Sequence, residues 1–219
     1  MHVSSSTGAI ILAAGSSSRM GAGRHKLLLP LAGRPVLEHV IEATLASQAR
    51  PIIIVLGHQA GQVRLQINAY VGHPHVTIVE NAHYVQGMST SLHAGVRALM
   101  TMNNAQTPPA AEVGSALVIL GDQPLMTTTI MDTLIATWRA TGKRIVSPLY
   151  GGRRGNPVLF DASLFAELLQ TTGDEGGRSV IERHRQDMAM VEVGNTMVSY
   201  DIDTWEAYQQ VLRIWEDEC

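Results

Sequence analysis

The sequence predicts an α/β fold, a three-layer arrangement around a doubly wound and mostly parallel sheet, and three observations carry that prediction. Short runs of β-branched and aliphatic residues alternate with longer segments whose apolar residues recur at helical spacing. Four of those runs, Ala9 to Leu12, Ile52 to Leu56, Val76 to Val79 and Ala116 to Leu120, read as strands buried on both faces. A Gly/Ser-rich loop follows the first of them, at the end of a strand where open α/β sheets bind their ligands.

Taken in order, the first strand runs into LAAGSSSRMGAGRHK, Leu12 to Lys26, and apolar character resumes over Leu27 to Leu31. Helices are expected over Pro35 to Ser47, about Ala60 to Ala69 and Ser89 to Met102, each between two of the buried runs. Asn103 to Gly114, NNAQTPPAAEVG, is rich in turn formers and reads as a surface loop. Thr127 to Thr141 is a helix whose threonine-rich start can cap its exposed amides, and Ile145 to Ser147 is a short strand. Tyr150 to Asn156 is dense in Gly and Arg, Pro157 to Phe160 is strand-like, and Ala162 to Gln170 is helical with Gly173 beyond its end. A helix over Arg178 to Arg185, strands over Ala189 to Val193 and Val198 to Ile202, and a closing helix over Thr204 to Glu216 complete the chain.

At 219 residues the chain is expected to form one domain, residues 1–219, with residues 1–8 a flexible N-terminus. A net charge of -3 argues against a general nucleic-acid binder, so anion binding must be local. The longest apolar runs are far too short to span a bilayer, and the N-terminus has neither a basic leading region nor a cleavage site, which reads as a cytoplasmic chain with no membrane partner. The single cysteine, Cys219, excludes an intrachain disulfide and a cysteine metal cluster. His73 and His75 suit one face of a strand but have no further ligands nearby, so they read as surface residues.

The candidate chemistry begins in the glycine loop. Small residues let backbone N–H groups approach phosphate oxygens, and Arg19 and Lys26 can neutralise the charge, in a chain whose only other lysine is Lys143. The loop is neither a Walker A sequence nor a GxGxxG fingerprint, so an ordinary turn stands as the alternative to a polyphosphate cradle. Asp122, in GDQP after the run ALVIL, emerges from the sheet edge and suits a magnesium ion bridging phosphates, or else a turn. In DIDTWEAY, Asp201 and Asp203 alternate onto one face. The simplest geometry turns Asp203 to the metal while Asp201 packs or caps, although Asp203 or Thr204 can equally be a helix N-cap.

Two further segments stand apart from these. In NAHYVQGMSTSL, Ser89, Thr90 and Ser91 either cap a helix, or Gly87 admits a flat base whose edge Ser89 or Ser91 bonds. Arg153, Arg154, Gly155 and Asn156 form a second basic loop, suited to an acceptor's phosphate or to a solvated hairpin tip.

Together, LAAGSSSRMG with Lys26 and LLLP, then NAHYVQGMSTSL, GDQP, RRGNPVLF and DIDTWEAY resemble the MobA-like NTP transferases, from Ile10 to about Tyr208, and most closely their molybdenum cofactor cytidylyltransferase branch. The resemblance implies a Rossmann-like nucleotidyltransferase of the nucleotide-diphospho-sugar transferase type. It implies transfer of CMP from CTP to the phosphate of a molybdopterin-type cofactor, with release of pyrophosphate. By the same resemblance Leu12, Ala13, Ala14 and Gly15 lie against the nucleotide, and Arg19, Lys26 and Asp122 are catalytic. Asp122 and Asp203 hold Mg2+, or Mn2+, while Asn81, Gly87, Ser89 and Ser91 meet the base and Arg154, Gly155, Asn156 and Pro157 border the acceptor. A client molybdenum hydroxylase or its chaperone is the implied partner.

The guanylyl-transferring branch has LAGG where this chain has LAAG, which favours CTP over GTP. Two positions depart from the pattern. The AGRH spacer sets Arg24 in competition with Lys26, and Asn156 stands where a histidine is usual, so it can hydrogen-bond but carries no charge. The alternatives are a GTP-dependent or phosphosugar or sugar-alcohol-phosphate transferase and, outside catalysis, a carrier of the finished cofactor.

Overall fold

Strand β1 (Ser6–Ala13) occupies the middle of the sheet because its residues are apolar on both sides, and the computed structural model, which describes residues 5–21, 23–105, 112–194 and 200–218, shows what covers each side. A small hairpin of β2 (Pro30–Leu31) and β3 (Arg34–Pro35) follows. The remaining strands are β4 (Ile52–Leu56), β5 (Val76–Glu80), β6 (Val113–Leu120), β7 (Ile145–Tyr150), β8 (Arg153–Arg154), β9 (Val158–Asp161) and β10 (Met188–Glu192). Across the main sheet they run β10-β7-β9-β6-β1-β4-β5, with β8 paired to β7. The pairs β1–β4, β1–β6, β4–β5 and β7–β10 are parallel, while β9 lies antiparallel between β6 and β7.

Successive β1 side chains point to opposite faces. Ala9, Ile11 and Ala13 join one core cluster with α1 (Val36–Ala46), α2 (Ala60–Gln66) and α4 (Thr128–Thr141). Ile10 joins the other, with α3 (Met88–Ala105), α5 (Phe165–Leu168) and α6 (Arg178–Arg183). Each fully buried aliphatic side chain of this kind contributes roughly 2 kcal/mol, which is why the two-sided run must be central. A third cluster joins α7 (Trp205–Glu218) to the loop after β1 through Met20, Leu31, Val36, Ile202, Tyr208 and Val211.

The helix boundaries have local causes. Thr127 caps α4 by accepting from the Ile130 amide at 3.4 Å, and Gly142 ends it in the left-handed region. Thr204 caps α7, its hydroxyl accepting from the Ala207 amide at 3.2 Å. That leaves the Asp203 side chain available for the site.

Several expectations are corrected. Residues 6–8 are strand, held by the Ser6 amide on the Glu112 carbonyl at 2.9 Å and by the buried Thr7 and Ser115 hydroxyls 2.8 Å apart; residues 1–4 lie outside the described residues. The second helix ends at Gln66 and tightens into a 3-10 turn over Asn68–Tyr70, and residues 162–168 divide into a 3-10 turn and the short α5. The helix α3 runs through Ala105, past the expected loop start at Asn103; 106–111 lie outside the described residues. No strand forms over 200–202, because the Ile202 amide is drawn to the Asp122 carbonyl at 3.0 Å; 198 and 199, like Cys219, lie outside the described residues. Among the described residues no helix is long and apolar enough to cross a membrane.

Candidate active site

Strand order reverses at β1, whose chain continues to β4 on one side while β6 arrives on the other, so a crevice opens at the carboxyl ends of β1 and β6. Leu12 and Leu120 are in register, and the Gly121 amide donates to the Leu12 carbonyl at 3.0 Å. The glycine loop and Asp122 therefore leave the sheet side by side.

The loop is held in a definite shape. Ser17 takes a left-handed conformation with φ 54°, its carbonyl accepts from the Met20 amide at 3.0 Å, and its hydroxyl accepts from the Lys26 amide at 3.1 Å. Met20 is buried in the α7 cluster, so the closing helix clamps the loop from outside. The Ala14 carbonyl accepts from the His58 amide at 3.1 Å and ties the loop to the turn after β4. His25 is buried beside that turn with Nε2 3.3 Å from the His58 carbonyl, and burial pushes its pKa below the ordinary histidine value. His25 is thus anchored just before Lys26, which opens a 3-10 turn whose Leu27 is buried.

Lys26 reaches into the crevice. Its Nζ donates to Asp203 Oδ1 at 2.7 Å and to Asp122 Oδ2, and Arg19 meets the other Asp203 oxygen at 2.9 Å. Burial works against the Lys26 ammonium, but the two carboxylates more than offset it and hold its pKa above the ordinary lysine value. Burial likewise raises Asp203, yet Lys26 and Arg19 bring it below the usual carboxylate range. Asp201 differs: burial and the neighbouring Asp122 charge push it up to about 6, and it accepts from the Gln123 side-chain amide. Arg24 takes no part, since its guanidinium lies 4.2 Å from the ring centre of Trp205.

Around this cluster is a cavity of about 660 Å3. It is lined by Leu12, Ala13, Ala14, Gly15, Arg19, Lys26, Asp122 and Asp203 together with Tyr84, Val85, Gly87, Met88, Ser91 and Asp174. A second cavity of about 840 Å3 is lined by Tyr150, Arg153, Arg154, Gly155 and Asn156, together with Gln123 and Tyr200. Asp201 and Asp203 border both cavities, so a group in one can face a group in the other across the carboxylates.

The model of the MobA-like NTP transferase domain matches residues 9–188, most of the chain and all of the sheet's core. The chain belongs to that family. It is 31% identical over 211 residues to the nicotine blue oxidoreductase of Paenarthrobacter nicotinovorans, covering 93% of this chain and 95% of the relative. To the molybdenum cofactor cytidylyltransferase of Escherichia coli (strain K12) it is 29% identical over 200 residues, covering 89% and 90%. Rv0371c from Mycobacterium tuberculosis H37Rv, solved in complex with manganese, shares the fold with a TM-score of 0.73 at 23% identity, over 96% of this chain and 99% of that one.

Within this MobA-like transferase, the structure brings Leu12 to Gly15, Arg19, Lys26, Asp122, Gly87, Ser91 and Asp203 onto one cavity, and Arg154, Gly155 and Asn156 onto the next. Three expected residues stand behind the walls. Asn81 is buried, with Nδ2 donating to Thr90 and Ser91 at 2.8 and 3.0 Å and Oδ1 accepting from the His83 amide, so its polar atoms serve the protein. Ser89 is 1% exposed, its buried hydroxyl without a hydrogen-bond partner among the described residues, and Pro157 is buried just before β9 after a cis Asn156–Pro157 bond. Sequence reasoning missed Asp174, which sits in TTGDEGG; only Gly173, as a helix stop, drew notice there. It also missed Tyr84, Met88 and Tyr150, whose burial pattern gave no signal of a cavity.

Proposed function

We propose that this chain transfers CMP from CTP to the phosphate of a molybdopterin-type acceptor and releases pyrophosphate. The observation that carries the reading is Lys26 fixed between Asp122 and Asp203, beside Arg19, at the carboxylate wall shared by two cavities. The glycine-loop cavity would take the nucleotide, and the basic loop of Arg153 and Arg154 would take the acceptor's phosphate. Relatedness to the Escherichia coli cytidylyltransferase and the LAAG sequence support cytidine. A cytoplasmic location, and a client molybdenum hydroxylase or its chaperone as recipient, belong to the same reading.

A divalent cation fits the donor set. Two carboxylate oxygens already converge on one ammonium, and among the described residues no third metal-ligating side chain joins them. That suits Mg2+ or Mn2+, which bind through one or two carboxylates and complete their shell with water and phosphate oxygens. Asp122 and Asp203 would hold the ion, which when bound supplies positive charge to the phosphate oxygens.

An oxygen of the acceptor's phosphate attacks the α-phosphorus, forming one P–O bond as the bond to the bridging oxygen of the pyrophosphate breaks. The nucleophile is already anionic, so no general base is needed. Arg19 and Lys26 neutralise charge on the triphosphate, the amides after β1 hold its oxygens, and the shared wall sets the two phosphates in line.

Pyrophosphate release with purified molybdopterin and each of CTP, GTP, UTP and ATP, with Mg2+, Mn2+ or EDTA, tests this. Metal-dependent release with CTP is expected, lost in Asp122→Ala. Release with GTP alone would move the chain to guanylyl transfer. Acceptor binding without release would make it a carrier, and consumption of a reduced nicotinamide or flavin without release would align it with the oxidoreductase relative.

A further inference from the structure

The residues from Gly173 to Gly177 cross from the second half of the chain to the mouth of the first cavity. Gly173 backs directly onto Gly87, and a Cβ on Gly87 would lie 2.4 Å from both the carbon and the oxygen of the Gly173 carbonyl. This contact sets Asp174 over the start of α3, where its Oδ1 accepts from the Met88 amide at 3.1 Å. Met88 is the first residue of α3, so Asp174 caps that helix from another part of the chain. The cap uses one carboxylate oxygen. The other has no partner within the protein among the described residues, and Asp174 lines the cavity.

Ser91 lies one helical turn beyond Met88 on the same side of α3 and lines the same cavity. Asn81 Nδ2 donates to the Ser91 oxygen at 3.0 Å, which leaves the Ser91 proton to be donated elsewhere. One wall of the cavity therefore presents an acceptor-only group at Asp174 and a hydroxyl donor at Ser91. A cytosine edge offers the complement, an exocyclic amine that donates and a ring nitrogen and carbonyl that accept. Uracil presents a carbonyl where the amine would be, and a carboxylate repels it.

We infer that Asp174 is a specificity-determining residue of this transferase, accepting a hydrogen bond from the exocyclic amine of the cytosine ring. The inference rests on the reading of the first cavity as a cytidine nucleotide site. A polar site rejects an analogue that leaves a charged group unpaired, and here the discrimination is on the order of tenfold or more because Asp174 stands at an exposed mouth.

Calorimetric affinities of the full chain for CTP, UTP and GTP in the presence of Mg2+ test this, with Asp174→Asn and Asp174→Ala beside the wild type. Asparagine keeps the acceptor that caps α3 and offers the ligand an amide donor. The wild type is expected to bind CTP about tenfold or more tighter than UTP, and Asp174→Asn to lower that ratio by about tenfold without moving the thermal midpoint. The triphosphate of the 4-unsubstituted pyrimidinone, which lacks only the amine, is expected to bind the wild type about tenfold weaker than CTP, and this needs no variant.

An unchanged CTP-to-UTP ratio in Asp174→Asn, equal losses for both nucleotides in the two variants, or full affinity for the amine-free analogue would overturn the inference and leave the nucleotide site standing. Preference for GTP would overturn it together with the cytidine reading. Failure of the wild type to bind any nucleotide would remove both.

Discussion

The guanidinium of Arg24 stacks 4.2 Å from the ring centre of Trp205, so the arginine of the spacer is spent on α7 while Lys26 alone among the two enters the crevice. The competition that the AGRH spacer set up is decided by an aromatic residue 181 positions further along the chain. A cation over an indole is worth about 0.5–1 kcal/mol at an exposed site. Arg24→Ala is therefore expected to lower stability by about that much and to change turnover less than about threefold, whereas Lys26→Ala loses about 10²–10³ in kcat. Steady-state pyrophosphate release by both variants decides it, and the opposite ranking would give the phosphate role to Arg24.

Asp203 carries more than Asp122, because each of its oxygens faces a different cation, Lys26 at 2.7 Å and Arg19 at 2.9 Å. Asp203→Asn is expected to raise the Mg2+ concentration for half-maximal activity at least tenfold, the loss that even an outer-shell partner brings. It also frees Arg19, which is otherwise 70% exposed, so KM for the nucleotide should rise too. Mg2+ titration at saturating CTP measures the first effect, and a half-maximal concentration equal to the wild type would take Asp203 out of the metal site.

How much of this was legible in the sequence follows from the range of each interaction. The buried runs and the helix after Thr127 were readable because burial pattern and capping act within a few residues. That the ends of β1 and β6 border one crevice was readable because parallel sheets expose those ends whatever their detail. Asn81 was readable as important but not in its role. Its amide fixes Ser91 from behind, and only three-dimensional placement separates a wall residue from the one supporting it. Asp174 was illegible because its meaning depends on Gly173 meeting Gly87, two glycines far apart in the chain. Over 200–202, the described part of an expected strand, no strand forms for a similar reason: a hydrogen bond from the Ile202 amide to the Asp122 carbonyl outweighs β propensity there.

Asp201 gives a pH signature of its own. Its carboxyl is raised to about 6 in the folded protein by burial and by Asp122, above the ordinary value of 3.8. The native state therefore binds this proton more tightly than the unfolded chain. Native stability from this group is full below about pH 4 and is lost as pH rises through about 6. Asp201→Asn, which keeps an acceptor for the Gln123 side-chain amide, removes that loss. The variant is expected to be more stable than the wild type above pH 6, by on the order of 2 kcal/mol, with the gap closing toward pH 4. Urea unfolding at pH 4.5, 6 and 7.5 measures it, and a gap independent of pH would contradict the raised carboxyl.

Gly87→Ala tests whether the crossing loop is fixed by a backbone contact. Gly87 has φ 112°, a conformation that L side chains rarely adopt, and its Cβ would meet the carbonyl and Cα of Gly173, neither of which can swing aside. Strain and overpacking together are expected to cost about 3 kcal/mol. Gly173→Ala is the matched control: its φ is 58°, but open space surrounds the position where its Cβ would sit, so it carries only the conformational penalty of about 1 kcal/mol. The part of the Gly87→Ala cost that the protein relieves must come from moving Gly173 and, with it, Asp174 away from α3. Gly87→Ala should accordingly weaken CTP binding, while Gly173→Ala leaves it near the wild-type value. Urea unfolding and CTP titration of the two variants separate these effects, and equal destabilisation by both would show that the Gly87–Gly173 contact is not what holds the loop.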